Sequence, residues 1–99
     1  MVYVDPTEVA PENYKTVWQE GPRRVVEMRL KSGEIDTQHS HPDMVAYFVK
    51  GGKLRVHLEN GEFTEADYPD GFVMPHEPWT HTMENVGTTD VFVIIFETK

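Results

Sequence analysis

The chain of 99 residues carries nine Lys and Arg against seventeen Asp and Glu, a formal charge of −8, and no cysteine. That balance, with no Lys/Arg run anywhere, argues against nucleic acid as a partner. The missing cysteines exclude disulfides, thiolate metal sites and thiol nucleophiles, which leaves His, Asp and Glu as the strong metal ligands.

The length suits one domain over residues 1–99 with a single core. Met1 to Pro6 has neither the positive flank nor the apolar stretch of a signal peptide. No apolar run approaches the roughly 20 residues needed to span a bilayer. The expectation is a cytoplasmic protein with no membrane partner.

Residues 1–13 hold two prolines, several acids and few apolar anchors. They read as an N-terminal arm lying along the body or a neighbouring subunit, with a frayed terminus as the alternative. Residues 15–19 form a weak strand, closed by Gly21-Pro22. Residues 24–30 alternate cleanly, with Val26, Met28 and Leu30 on one face. Ser32-Gly33 turns the chain into a segment carrying His39 and His41. Residues 45–50 are β-branched and aromatic and stop at Gly51-Gly52. Residues 53–59 alternate again, setting Leu54, Val56 and Leu58 against Arg55, His57 and Glu59, so His57 belongs to the surface. Asn60-Gly61 is the strongest hairpin signal. Further short strands follow at 62–65, 71–74 and 80–85, and 91–96 is apolar on both faces. No amphipathic helix and no repeat emerge, so the pattern is that of an all-β sandwich or jelly roll.

His39 and His41, at i and i+2 on an extended strand, project from one face. His81 opens a later strand and can meet them. Converging neutral imidazoles are what a transition-metal site requires.

These segments resemble the cupin superfamily. Gly33, His39, His41 and Gly52 match its first motif in spacing, and Pro75, His81 and Asn85 match its second, with Asn85-Val86-Gly87 as the following turn. The likeness covers about residues 24–97 and implies a cupin double-stranded β-helix, a jelly-roll barrel. It departs in two places. The Glu of the first motif, usually a fourth ligand, falls on Val45, and Glu77 stands where a Gly is expected in a stretch one residue longer. The resemblance then implies either a lost metal or a three-histidine site, as in several cupin oxygenases that cleave small dicarbonyl or aromatic compounds.

The expected ligands are His39, His41 and His81, holding one divalent transition metal per chain: Fe, Mn, Ni, Zn or Cu. An unbroken strand from His41 would also turn Val45, Tyr47 and Val49 inward, while His81 would share its face with Met83 and Asn85. His76, between prolines, is a fourth ligand, an acid/base group or a solvated loop histidine. Glu77 is a mouth carboxylate or an exposed acid. Tyr47, Phe72, Trp79 and Met83 line a pocket or simply fill the core. The implied function is a metal-dependent cupin acting on a small organic anion, such as an Fe(II) dioxygenase, with Glu77, His76 and Tyr47 as catalytic candidates. A non-catalytic binding protein and a structural cupin are the alternatives. A last strand apolar on both sides points to a homodimer that buries the outer face of residues 91–96.

Overall fold

A computed structural model describes residues 2–99. Nine strands run in chain order as β1 (Tyr14–Glu20), β2 (Arg23–Leu30), β3 (His39–His41), β4 (Asp43–Lys50), β5 (Gly52–Leu58), β6 (Phe63–Tyr68), β7 (Val73–His76), β8 (Trp79–Asn85) and β9 (Val91–Thr98). They form a five-stranded sheet, β1-β2-β9-β4-β7, and a four-stranded sheet, β3-β8-β5-β6, both antiparallel. This is the all-β jelly roll expected from short alternating runs separated by Gly, Pro, Asn and Asp.

The alternation read in the sequence decides which side chains meet. Val26, Met28 and Leu30 from β2, Leu54 and Val56 from β5, Met83 from β8, and Val91, Val93 and Ile95 from β9 all enter one core. Gly61 takes the positive φ of 92° that the Asn60-Gly61 hairpin needs, and the Asn60 Oδ1 accepts from the Glu62 N–H at 2.9 Å. Asn85 is buried at the end of β8, where its amide donates to Leu30 O and Thr89 O and so fixes the turn beyond it. Among the described residues no helix is long and apolar enough to cross a membrane.

One inward assignment is corrected. Met44, Ala46 and Phe48 face the core, whereas Val45 and Tyr47 are 41% and 43% exposed on the opposite side. The cause is Pro42. β3 belongs to the four-stranded sheet and β4 to the five-stranded one, so the chain bends between sheets at residue 42 and the parity resets. Tyr47 therefore does not line the barrel interior, and Val45, where the motif's acid would fall, points away from the histidines.

The N-terminal segment is an ordered arm along the body. Asp5 caps a single helical turn, α1 (Pro6–Val9), its carboxylate accepting from the Thr7 N–H and hydroxyl. One turn carries no readable 3.6-residue period, which is why the sequence pattern shows no helix. The Ser40 N–H donates to Val4 O at 2.7 Å and the Val4 N–H to the Ser40 Oγ at 3.1 Å, so the arm covers the outer side of β3. That contact explains why all three β3 residues are buried, although β3 is an edge strand.

Candidate metal centre

β3 and β8 pair so that His39 lies directly across from His81, and His41 across from Trp79. With His39 and His41 two residues apart, all three imidazoles reach one point inside the barrel. Each is at most 3% exposed, and one nitrogen from each lies within 4.8 Å of the others. The ring centroids are 4.7, 4.9 and 5.2 Å apart.

Two of the rings have their tautomers fixed. His39 Nδ1 lies 2.7 Å from Thr37 O, a carbonyl that can only accept, so Nδ1 carries the hydrogen and Nε2 presents a lone pair. His41 Nδ1 lies 2.6 Å from the Glu97 carboxylate, which fixes its Nε2 in the same way. His81 Nε2 is 3.1 Å from His39 Nε2, and its Nδ1 has no hydrogen-bond partner among the described residues. Two ligands bound about 2.1 Å from one ion at 90–110° stand roughly 3.0–3.4 Å apart. The His39–His81 separation is thus that of neighbouring positions on a single ion. The donor set fits a divalent transition metal.

The electrostatics favour the neutral forms of His39 and His81, as ligation demands. Burial, reinforced by the neighbouring His41, lowers His39 to about 4. Burial, then His41 and His39, hold His81 well below its ordinary value. Burial alone would push Glu97 up, but the His41 hydrogen bond and the Arg24 guanidinium outweigh it and hold the carboxyl below its usual range.

Behind the rings lies a polar scaffold that was not part of the sequence expectation. The Arg24 Nε donates to Glu97 at 2.9 Å, and the Arg24 NH groups donate to Asp5 at 3.0 and 3.2 Å. His41 is therefore tied through Glu97 and Arg24 to the N-terminal arm. On the other side Asp36 accepts from the Tyr14 hydroxyl at 2.7 Å and the Met83 N–H at 2.8 Å, and lies 3.8 Å from His39 Nδ1. Burial raises Asp36 to about 7 against the pull of those two bonds. A signal for part of this was present. Arg24 shares its parity with Val26, Met28 and Leu30, and Glu97 with Val91, Val93 and Ile95. A charged residue on an apolar face is a buried charge that must find a partner.

The other candidates stand apart from the cluster. Tyr47 is on the outer face. His76 donates from Nδ1 to Glu77 O and stacks on the Trp79 indole at 3.6 Å, while that indole lies 4.0 Å from the His81 ring. Glu77 is exposed beside it. His57 is on the polar face, 2.9 Å from Glu84. Phe72 is 37% exposed, Trp79 packs at the edge of the core, and Met83 lies inside it.

Against solved structures, the chain is similar to a cupin domain from Bordetella pertussis, with 20% identity, a TM-score of 0.77, and 87% of this chain and 91% of that one covered. The fold is that of the cupins. A conserved protein with a double-stranded β-helix domain from Klebsiella pneumoniae aligns over 97% of this chain and 83% of its own, at 20% identity and a TM-score of 0.69. A cupin family protein from Methanocaldococcus jannaschii aligns at 14% identity and a TM-score of 0.68, covering 86% and 77%. No family model matches the sequence, and no curated protein sequence is similar to it. In cupin terms the histidines sit on neighbouring strands of one sheet inside the double-stranded β-helix, and the inward positions of β4 on either side of the motif's acid are Met44 and Ala46.

Proposed function

We propose that this cupin binds one divalent transition metal through His39, His41 and His81 and acts on a small organic anion. The observation that carries the proposal is the pair of Nδ1 hydrogen bonds: Thr37 and Glu97 hold Nδ1 of His39 and His41 protonated, which leaves both Nε2 lone pairs free to ligate, that of His39 being 3.1 Å from His81 Nε2. With three neutral ligands the ion keeps its full charge and supplies Lewis acidity or, for iron, redox chemistry with oxygen. The chain's own part is to orient the imidazoles, exclude water with Met28, Met44, Phe48 and Met83, and keep the site neutral apart from Glu97 and Asp36 behind it. The proposed activity is an Fe(II)-dependent dioxygenation of a β-dicarbonyl or catechol-like acid. The compartment proposed is the cytoplasm, in keeping with a small chain that has no disulfide staples.

A second reading, metal or ligand binding without turnover, is favoured by the space available. The cavity between His41, His81 and the methionines measures about 20 Å³, room for roughly one water. Flexible Met44, Met74 and Met83 side chains must shift before a substrate enters. Metal analysis of protein purified without added nickel is expected to find close to one ion per chain, lost in His39→Ala and in His81→Ala. Unchanged metal content in both variants would sink the proposal. Oxygen uptake by Fe(II)-loaded protein across a panel of chelating acids then separates the two readings, since Zn(II)-loaded protein can bind such acids but has no redox chemistry.

A further inference from the structure

We infer that the N-terminal arm is a positioning element for the histidine cluster: Asp5 and Arg24 hold His41 in its ligating orientation, and arm docking and metal binding reinforce each other. The second half of this inference rests on the metal reading above; the first half concerns the imidazole alone.

The arm reaches the cluster by two routes. One is through the backbone. β3 carries two of the three histidines, is three residues long, and pairs with β8 on one side only. Val4 occupies its other side, accepting from the Ser40 N–H at 2.7 Å and donating to the Ser40 Oγ at 3.1 Å. Ser40 stands between His39 and His41, so the arm grips the residue that both flank. The same hydroxyl lies 2.8 Å from the Thr80 Oγ1, one residue before His81. Arm, β3 and β8 thus meet at one buried side chain.

The other route is a relay of side chains. The Arg24 Nε donates to one oxygen of Glu97 at 2.9 Å, while its two NH groups fork onto the Asp5 carboxylate at 3.0 and 3.2 Å. The second oxygen of Glu97 accepts from His41 Nδ1 at 2.6 Å. A guanidinium is planar and its donors diverge at fixed angles, so the seat of Asp5 sets the plane of Arg24, and that plane sets the carboxylate that aims the ring. Side-chain exposure climbs outward along the relay, from 1% at His41 and Glu97 to 8% at Arg24 and 19% at Asp5. Water therefore reaches the arm's end of the relay and cannot stand in for its inner members. Cover alone does not need these charges. Pro6 and Ala10 are buried and anchor the arm by apolar contact, whereas taking a guanidinium and carboxylates out of water is costly. What the charges add is direction. An arm that favours the ligating pose of His41 must in turn be favoured, by the same factor, by any ion that requires that pose.

Asp5→Asn isolates the relay, because Asn caps a helix as well as Asp does but sets an amide donor against one Arg24 NH group. Zn(II) affinity, from competition with a chelator, is expected to fall at least ~5-fold in Asp5→Asn. In a Glu97→Gln background the same change should matter less than ~2-fold, since the relay is already cut. Amide exchange at Ser40, whose N–H is bonded to the arm, should slow at least ~5-fold on Zn(II) binding in the parent and not in Asp5→Asn. In metal-free protein the His41 Nδ1–H should give a downfield proton resonance that shifts or broadens in Asp5→Asn, while that of His39, bonded to Thr37 O, stays in place as the control. Urea midpoints in EDTA show that the variant remains folded. Equal losses of affinity in the two backgrounds, affinity in Asp5→Asn within ~2-fold of the parent, or an unmoved His41 resonance overturns the inference. A parent that binds no Zn(II) removes the metal reading and the coupling with it, and the His41 resonance then decides by itself whether Asp5 orients the ring.

Discussion

Glu97→Gln tests whether the scaffold behind the histidines sets the metal site. Glu97 is 3% exposed, and its two oxygens accept from His41 Nδ1 at 2.6 Å and Arg24 Nε at 2.9 Å. A glutamine has one acceptor and one donor in the same space. If its oxygen faces His41, its amide confronts the Arg24 N–H, donor against donor. If it turns over, its amide faces His41 Nδ1 and selects the tautomer with hydrogen on Nε2, which blocks the ligand. Either orientation leaves a buried mismatch of about 1–3 kcal/mol. Loss of such an orienting partner lowers metal affinity about 10–100-fold, equal to about 1.4–2.7 kcal/mol. The assay is Zn(II) titration against a competing chelator, with urea unfolding of the metal-free protein alongside. Affinity within about twofold of the parent would refute the reasoning, since it would show that His41 does not depend on Glu97 for its orientation.

Other outcomes follow from parity and burial. Val45→Glu should leave metal content unchanged, measured by elemental analysis, because the new carboxylate lies on the outer face. Phe48→Ala should cost about 3–5 kcal/mol in urea unfolding, and Tyr47→Ala, on the outer face, under about 1 kcal/mol. For the metal-free protein the pH dependence has a definite sign. Neutral His39 holds fewer protons than in the unfolded chain between about 4 and 6.5, and His81 is shifted in the same direction, so both make stability fall with acidification. Asp36, raised to about 7, holds an extra proton when folded, so its contribution is lost as pH rises through 7. With two imidazoles set against one carboxyl, stability of the metal-free protein is expected to rise with pH near pH 5, measurable by urea midpoints in EDTA.

The histidine cluster was legible because it is local in the strand geometry. His39 and His41 declare a shared face by spacing alone, and the alternation in residues 24–30 and 53–58 sorts core from surface without knowledge of the partners. Val45 and Tyr47 were misplaced because parity survives only along an unbroken strand, and Pro42 carries the chain from one sheet to the other. Glu97 and Arg24 escaped for a different reason. Their partners lie 56 and 73 residues away in sequence, for the His41–Glu97 and Arg24–Glu97 bonds respectively. Only the oddity of a charge on an apolar face marks them, and a strand read as ending at Phe96 stops one residue short of that mark. The role of Asp36 depends on Tyr14 and Met83, which no short window contains.

The position of β9 has a consequence for how this protein is made. It is the last strand of the barrel, yet it lies between β2 and β4, which do not pair with each other. While the ribosome works toward Val91, the nascent chain can form hairpins such as β1–β2 and β5–β6, but the facing edges of β2 and β4 stay open. Those edges are unsatisfied and apolar for the seconds that synthesis takes, at about 5–20 residues per second. The barrel then closes in one late, non-local step, the slow kind of folding event. Such a chain should be a client for chaperones that hold extended segments. A stop codon before Val91 would remove, in one stroke, the middle of a sheet and the carboxylate that aims His41.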